Sequence, residues 1–576
     1  MYSTFKIKKA TGTYSDTIEA FGLANLLNEI QSRAELPRAK LWIEDKGLYY
    51  EITSKPEIQA EDVAKLNYFP LFQYVIRDTS ETFDESYFDY PKQRDLKKER
   101  QELTQKAYKE FTGKDKSEQL KLKLREIERI YSVEKFISPK LDVYSQVITP
   151  NNFVGFDKLY RNISSNKEAF PDIVKAILDY YSDMEVGLKT KTLTDFDDSV
   201  TALQIYNPTT GKGQNKGKAS GASAGPVKLN WISETMKISG AITNMLCQLV
   251  KVGSSYDMKV VVPDFKKSEY NKQKQIALAF KKNIKGNTPL KVDILNLLIV
   301  NKQLIEYTDE YSNFKAKNIL TGLHSTYQKD LGQNKAVVNI AELQTPDFIE
   351  FNTEDEAKDW IEFLKEQINI IGNIEELGDA TQGLIAYRTF LTSSHFQSWI
   401  KFIFWYAVHI MSNFSKNKYA LLFKVTSLNK FFKNMTMSDF KISEIIFNEG
   451  FQKVATAIRN STVILQGAKS RGEKIDFEIR YGVAQELKNK SKTATDLAGY
   501  VGEFIGTYNA ETARKAEINR AYRKPVRDNE LTSFYTLLDL HPSKSKVIGA
   551  MLASYGFALE KGSEITPNEE LTTIIE

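Results

Sequence analysis

The sequence predicts an α+β protein: a mixed α/β N-terminal region, 1–352, followed by an all-helical C-terminal region that ends in a helical bundle. Strand-like apolar runs are found only before residue 353. After it, apolar residues recur at helical spacing. The composition, 41% hydrophobic and 27% charged over 576 residues, is enough to bury cores in several domains and excludes a disordered or collagen-like chain.

Taken in order, Phe5-Lys6-Ile7-Lys8 alternates like a strand. A helix follows, with Ser15 placed to cap it and Ile18, Phe21, Leu26, Leu27 and Ile30 on its apolar side. Lys40 to Glu44 and Leu48 to Thr53 suit a hairpin turned at Asp45-Lys46-Gly47. Residues 92–132 read as charged helices carrying Leu96, Leu103, Leu120, Leu122, Leu124 and Ile127, broken near Gly113. Strand-like pieces return at Leu141 to Ile148, Val200 to Tyr206, Met258 to Val262, Val292 to Val300 and Ala336 to Leu343. Residues 211–226, rich in Gly with Lys212, Lys216 and Lys218, form the clearest flexible segment. It reads either as a linker or as a lysine-bearing loop that orders on a phosphate backbone. From 353 to 436 a helical connector is expected, with Trp399, Phe402, Ile403, Tyr406 and Ile410 on one face. From 437 to 576, helices at 440–460, 480–490, 494–508, 510–523, 530–539 and 544–558 are expected to form the bundle.

One cysteine, Cys247, excludes an internal disulfide and any cysteine-based metal centre, and it fits a cytoplasmic location. The start of the chain lacks a signal-peptide apolar run, and the stretch around Phe402 to Met411 is too short to span a membrane. The four histidines lie outside any HExxH pattern, and no Gly-x-Ser-x-Gly elbow occurs. The Gly-rich segment fails as a P-loop, because Lys212 stands where a glycine is required and Ala219 replaces the needed Ser or Thr. Glu354, Asp355, Glu356 and Asp359 read as first-turn acids of a helix, and Asp197-Asp198 has no partner motif. No catalytic residue, metal or cofactor is therefore expected.

The charge is unevenly spread. The formal total is +5, yet residues 341–380 hold 12 acids against two lysines, a local −10. Residues 453–527 hold 15 Lys or Arg against eight acids, a local +7. Such basic runs are either solvated helix faces or parts of a polyanion surface. The strongest candidate is the helical run from Glu511 through Arg514, Lys515, Arg520, Arg523 and Lys524 to Arg527, because the planar guanidinium grips phosphate with two donors. Arg459 and Arg471 extend the same stripe. Asn151 and Asn152 form a second candidate, since an asparagine pair in a loop can test base edges; the plainer reading is an ordinary helix start.

The segments Tyr14 to Ala24 (YSDTIEAFGLA) and Asn151 to Asn162, with the C-terminal run Leu497-Ala498-Gly499-Tyr500-Val501-Gly502-Glu503-Phe504, the basic helix and Phe534 to Asp539, resemble large subunits of type I CRISPR surveillance complexes (Cascade), I-A/I-B-like. The likeness is one of layout with short local matches. It implies a non-catalytic subunit in an antiviral ribonucleoprotein, bound to guide CRISPR RNA and to the backbone and handle-binding subunits. It further implies that the N-terminal domain reads the PAM of target double-stranded DNA. The C-terminal bundle would support the displaced strand of the R-loop and help recruit a helicase-nuclease. Base pairing with the guide carries the sequence specificity. A small subunit made from an internal start near Met437 is a further implication. On this reading Lys212, Lys216 and Lys218 contact phosphates, Asn151 and Asn152 help test the motif, and Arg459, Arg471, Arg514, Lys515, Arg520, Arg523 and Arg527 hold single-stranded DNA. The competing readings are a nucleic-acid-processing enzyme with a carboxylate metal site, and a protein-interaction scaffold using the acidic 341–380 block.

Overall fold

The described residues of the chain, in a computed structural model, are 1–78, 87–111, 117–131, 143–182, 199–210, 227–331, 335–433, 435–437, 440–519 and 523–560. The fold class is α+β, as the sequence predicts. The chain divides into two compact units. The first is Met1–Pro289 with Ala316–Thr345; the second is Leu290–Lys315 with Pro346–Glu576.

The first unit holds two four-stranded antiparallel sheets. One runs Tyr2–Lys8, Tyr49–Ile58, Lys40–Asp45, Lys267–Glu269 in spatial order; the other runs Lys335–Gln344, Leu320–Asp330, Ser255–Phe265, Leu246–Val252. The expected hairpin is present with Ile43 opposite Ile52, and its Gly47 takes φ +86°, a left-handed conformation that glycine adopts without strain. Helix Tyr14–Arg33 packs on helix Trp231–Asn244 backbone to backbone. A Cβ on Gly22 would lie 1.8 Å from the Met236 carbonyl oxygen, and one on Gly240 would lie 1.8 Å from that of Ile18. Only glycine permits so close an approach at either position. The charged helices Tyr90–Glu110 and Ser117–Ile130 form a hairpin, in which Leu96, Leu103, Leu120 and Leu124 pack against Ala107, Ile127 and Tyr131; Gly113 lies outside the described residues.

Three local expectations are corrected. Thr13, not Ser15, is the N-cap: its hydroxyl accepts from the Ser15 amide, and the Ser15 hydroxyl turns inward to donate to the Tyr206 carbonyl. Val292 to Val300 is not a strand but the middle of helix Pro289–Glu306, buried on every side. A short continuous apolar run has no period to separate the two structures. In the expected strand Leu141 to Ile148, the described part Val143–Val147 is helical.

The second unit is built of helices, with short strand pairs at Phe314–Lys315/Glu350–Phe351 and Thr436–Met437/Phe440–Lys441. Helix Pro289–Glu306 is tied to it at its start, where the amides of Leu290 and Lys291 donate to Glu376 at 3.1 and 3.0 Å, a carboxylate at a helix N-terminus. Asp293 pairs with Arg388 at 3.2 Å. Trp399, Phe402, Ile403, Tyr406 and Ile410 are all buried on helix Phe396–Ser415, as the periodicity predicts. The two helices expected at 494–508 and 510–523 are one helix, Ala494–Asn519, since nothing near Asn509 breaks it.

The residues expected to divide at 437 cluster in a single unit. Helix Phe396–Ser415 packs on Val483–Lys490 and Ser545–Gly556, and Tyr555 donates to Asn429 at 2.9 Å. A product starting at Met437 would lack these covering helices. Among the described residues, no helix is long and apolar enough to cross a membrane.

Candidate nucleic-acid interface

In the second unit the basic run is organised around one acid. Glu511, on helix Ala494–Asn519, accepts the Glu478 amide at 2.8 Å and pairs with Arg523 at 2.6 Å and Arg480 at 3.4 Å. Burial works to raise the Glu511 carboxyl, but the bonds from the Glu478 amide and the two arginines outweigh it and hold it below the ordinary glutamate range. Arg523 also donates to Thr512 and to the Tyr508 carbonyl, and its guanidinium lies 3.9 Å from the Tyr508 ring centroid and 4.3 Å from that of Phe477. It is 8% exposed.

The placement of Arg523 corrects its expected role. Helix Ala494–Asn519 does not reach Arg523, which is buried rather than on its outer face. The chain turns back instead. Asn509 bonds Val526 in both directions, and Arg523 is drawn inward as a clamp rather than held out for phosphate. Arg459 is corrected likewise. It is 3% exposed, pairs with Glu560 and donates to the Tyr555 carbonyl at 2.9 Å. Its burial follows from its place on the inner face of helix Glu449–Ser461, beside Ala455 and Ile458.

Other candidates keep their outward position. Arg514 and Arg527 are exposed and Lys515 is half-buried. The Asn509–Val526 bonds hold Arg527 alongside the helix that carries Arg514 and Lys515, and exposed Lys524 lies on the same connection. Arg471 is exposed but paired with Glu473. Arg520 lies outside the described residues.

In the first unit, Lys212, Lys216 and Lys218 and the whole 211–226 segment lie outside the described residues, as does Asp197-Asp198. Asn151 and Asn152 stand in the first turn of helix Pro150–Ser164 rather than in a loop. The Asn152 amide donates to the Gln146 carbonyl at 2.8 Å, which ties the helix start to the preceding turn and takes up one of the groups expected to test bases.

The Tyr14 to Ala24 segment is absorbed by the interior. The Tyr14 hydroxyl donates to the Ile205 carbonyl at 2.7 Å, and Asp16 accepts the Gly12 amide at 2.8 Å. Glu19 accepts from Tyr181 at 2.8 Å and faces Lys237 at 3.8 Å. Lys237 also pairs with Glu234 at 3.2 Å and donates to Asn207 at 2.9 Å, while Glu234 accepts from Asn207 and from the Leu203 amide. Burial pushes the Glu19 carboxyl above the ordinary range against the pull of Lys237. Sequence reasoning also missed His324, whose Nε2 lies 3.5 Å from buried Asp264, itself bonded by Tyr50 at 2.7 Å. The pair joins adjacent strands far apart in sequence, so no local spacing announces it.

The acidic block supplies a pocket of about 420 Å³ whose aromatic wall includes Phe348, Trp360 and Phe431, with Glu350, Glu356 and Asp359 also lining it and Lys430 paired to Asp359. The first-turn acids there cap their helix: Thr353 accepts the Glu356 amide, and the Glu356 carboxylate accepts the Asn352 amide. Among the described residues no group of three or more His, Cys, Asp or Glu is placed to hold a metal ion.

No protein-family model matches the chain. No curated protein matches it either.

Proposed function

We propose that the chain is the non-catalytic large subunit of a CRISPR RNA-guided DNA surveillance complex, holding target DNA by its phosphates while guide RNA reads the sequence. The reading rests on the resemblance of the quoted segments. The observation that carries it is the set of outward cations Arg514, Lys515, Lys524 and Arg527 on one stretch of the helical unit, inside a region of local charge +7. Outward guanidinium and ammonium groups are the chemistry that binds a phosphodiester strand without reading bases. The PAM-reading role of the first unit, the recruitment of a helicase-nuclease and the partner subunits belong to the same proposal, and they are supported by the resemblance alone.

The test is co-expression with a guide-RNA complex, followed by measurement of DNA affinity across a salt series. In the Arg514→Glu, Lys515→Glu, Arg527→Glu triple variant the slope of log affinity against log salt should fall by roughly one for each phosphate that is no longer neutralised. An unchanged slope, a chain that never joins the RNA particle, or metal-dependent cleavage by the purified chain each overturn the reading.

A further inference from the structure

Between helix Glu449–Ser461, the Lys524–Val526 connection and the end of helix Ser545–Gly556 lies a cavity of about 300 Å³. That is the low end of volumes that take small-molecule ligands. Arg459 lines it. Two of its guanidinium nitrogens are engaged, Nη1 by Glu560 and Nη2 by the Tyr555 carbonyl, while its Nε has no hydrogen-bond partner among the described residues. The cavity wall thus carries a buried guanidinium whose charge is met, among the described residues, by a single carboxylate, that of Glu560. Lys524 and Asn460 also line it, and Lys453, on the same wall, is paired to Glu530 at 3.2 Å. Among the described residues the one carboxylate lining the cavity is Glu560, whose side chain is 52% exposed.

Glu560 is held in a way that leaves its carboxylate replaceable. The backbone just before it is fixed: the Leu559 amide donates to the Phe423 carbonyl, and the Val425 amide donates to the Leu559 carbonyl at 2.8 Å. Because that side chain is half-exposed, an incoming anion can compete with it for the guanidinium while the backbone stays in place. Carboxylate and phosphate present the same acceptor geometry to arginine, and phosphate offers more oxygens.

We propose that this cavity is a phosphate subsite in which Glu560 stands in for the ligand, and that a phosphate monoester or a phosphodiester of a single strand displaces it onto Arg459, with Lys524 and Asn460 at the rim. The strand form of the proposal rests on the DNA-binding reading above; the anion site itself does not. Arg459, buried and corrected as an outward contact, thereby regains a role that becomes available only when Glu560 leaves.

The test uses the full chain with two probes, a labelled oligothymidylate and inorganic phosphate. Glu560→Gln should tighten at least one of them by about tenfold, the order expected for removing one competing charge at contact. Thr456→Glu, which adds a carboxylate to the lining, should reverse the gain. Glu354→Gln removes the same charge beside Lys358, away from the cavity, and should change neither. Tightening of the oligonucleotide alone identifies a strand as the source; tightening of inorganic phosphate identifies a free phosphate. If Glu560→Gln matches wild type or the Glu354→Gln control with both probes, the subsite is overturned, and the outward cations stand or fall on their own salt series. If no variant binds the oligonucleotide but Glu560→Gln gains inorganic phosphate, the subsite stands and the DNA-binding reading falls.

Discussion

Two buried cations, one in each unit, are held in opposite ways. In the first, Lys237 is enclosed by Glu19, Glu234 and Asn207, and each carboxylate has a further donor. In the second, Arg459 leaves a donor without an acceptor among the described residues, beside a cavity, and shares its charge with a half-exposed carboxylate. A fully satisfied network fixes one arrangement of helices. A partly satisfied one leaves a buried polar atom at a cost to stability.

That contrast is open to direct attack. The largest effect is expected from Lys237→Met, which strands two buried carboxylates and should cost about 3–5 kcal/mol. Amide hydrogen exchange along helix Tyr14–Arg33 should quicken by roughly a hundredfold or more. Exchange at the wild-type rate would mean the network is not closed. Gly22→Ala comes next. Its methyl group has no room against the Met236 carbonyl, and about 3 kcal/mol, the upper part of the usual overpacking cost, should be lost in the same measurement.

A pH-dependent effect sharpens the comparison further. Lys281 is buried and donates to the Ile242 carbonyl at 2.7 Å, and burial lowers its ammonium to about 7. Between about 7 and the ordinary lysine value near 10.4 the unfolded chain holds a proton that the folded chain lacks, so this residue's contribution to stability rises with pH across that window. Below it the penalty is constant. Lys281→Met should therefore gain most over wild type at neutral pH, and the gap should narrow as pH is raised to about 10 in denaturant melts. A gap independent of pH would remove the charge from the argument.

How far the sequence reached depended on whether a feature is local. The hairpin at Lys40–Asp45 and Tyr49–Ile58 and the apolar face of helix Phe396–Ser415 follow from period and turn residues within a few positions. Features set by distant partners were hidden. Gly22 needs glycine because Met236 crosses it, Ser15 turns inward because Tyr206 offers a carbonyl, and His324 meets Asp264 only across a strand pair. The basic stripe divided on the same principle. Its helical spacing is real up to Asn519, but chain reversal after the helix sends Arg523 inward and leaves Arg527 outside. An arginine's residue type says nothing of whether a glutamate such as Glu511 or Glu560 waits for it.

The segment Leu290–Lys315 is contributed by the first part of the chain to the second unit, so the polypeptide passes from one unit to the other at 289/290, 315/316 and 345/346. During synthesis this helix emerges before Glu376 and Arg388, which hold it, have been made. No single cut in the gene can therefore yield both units whole.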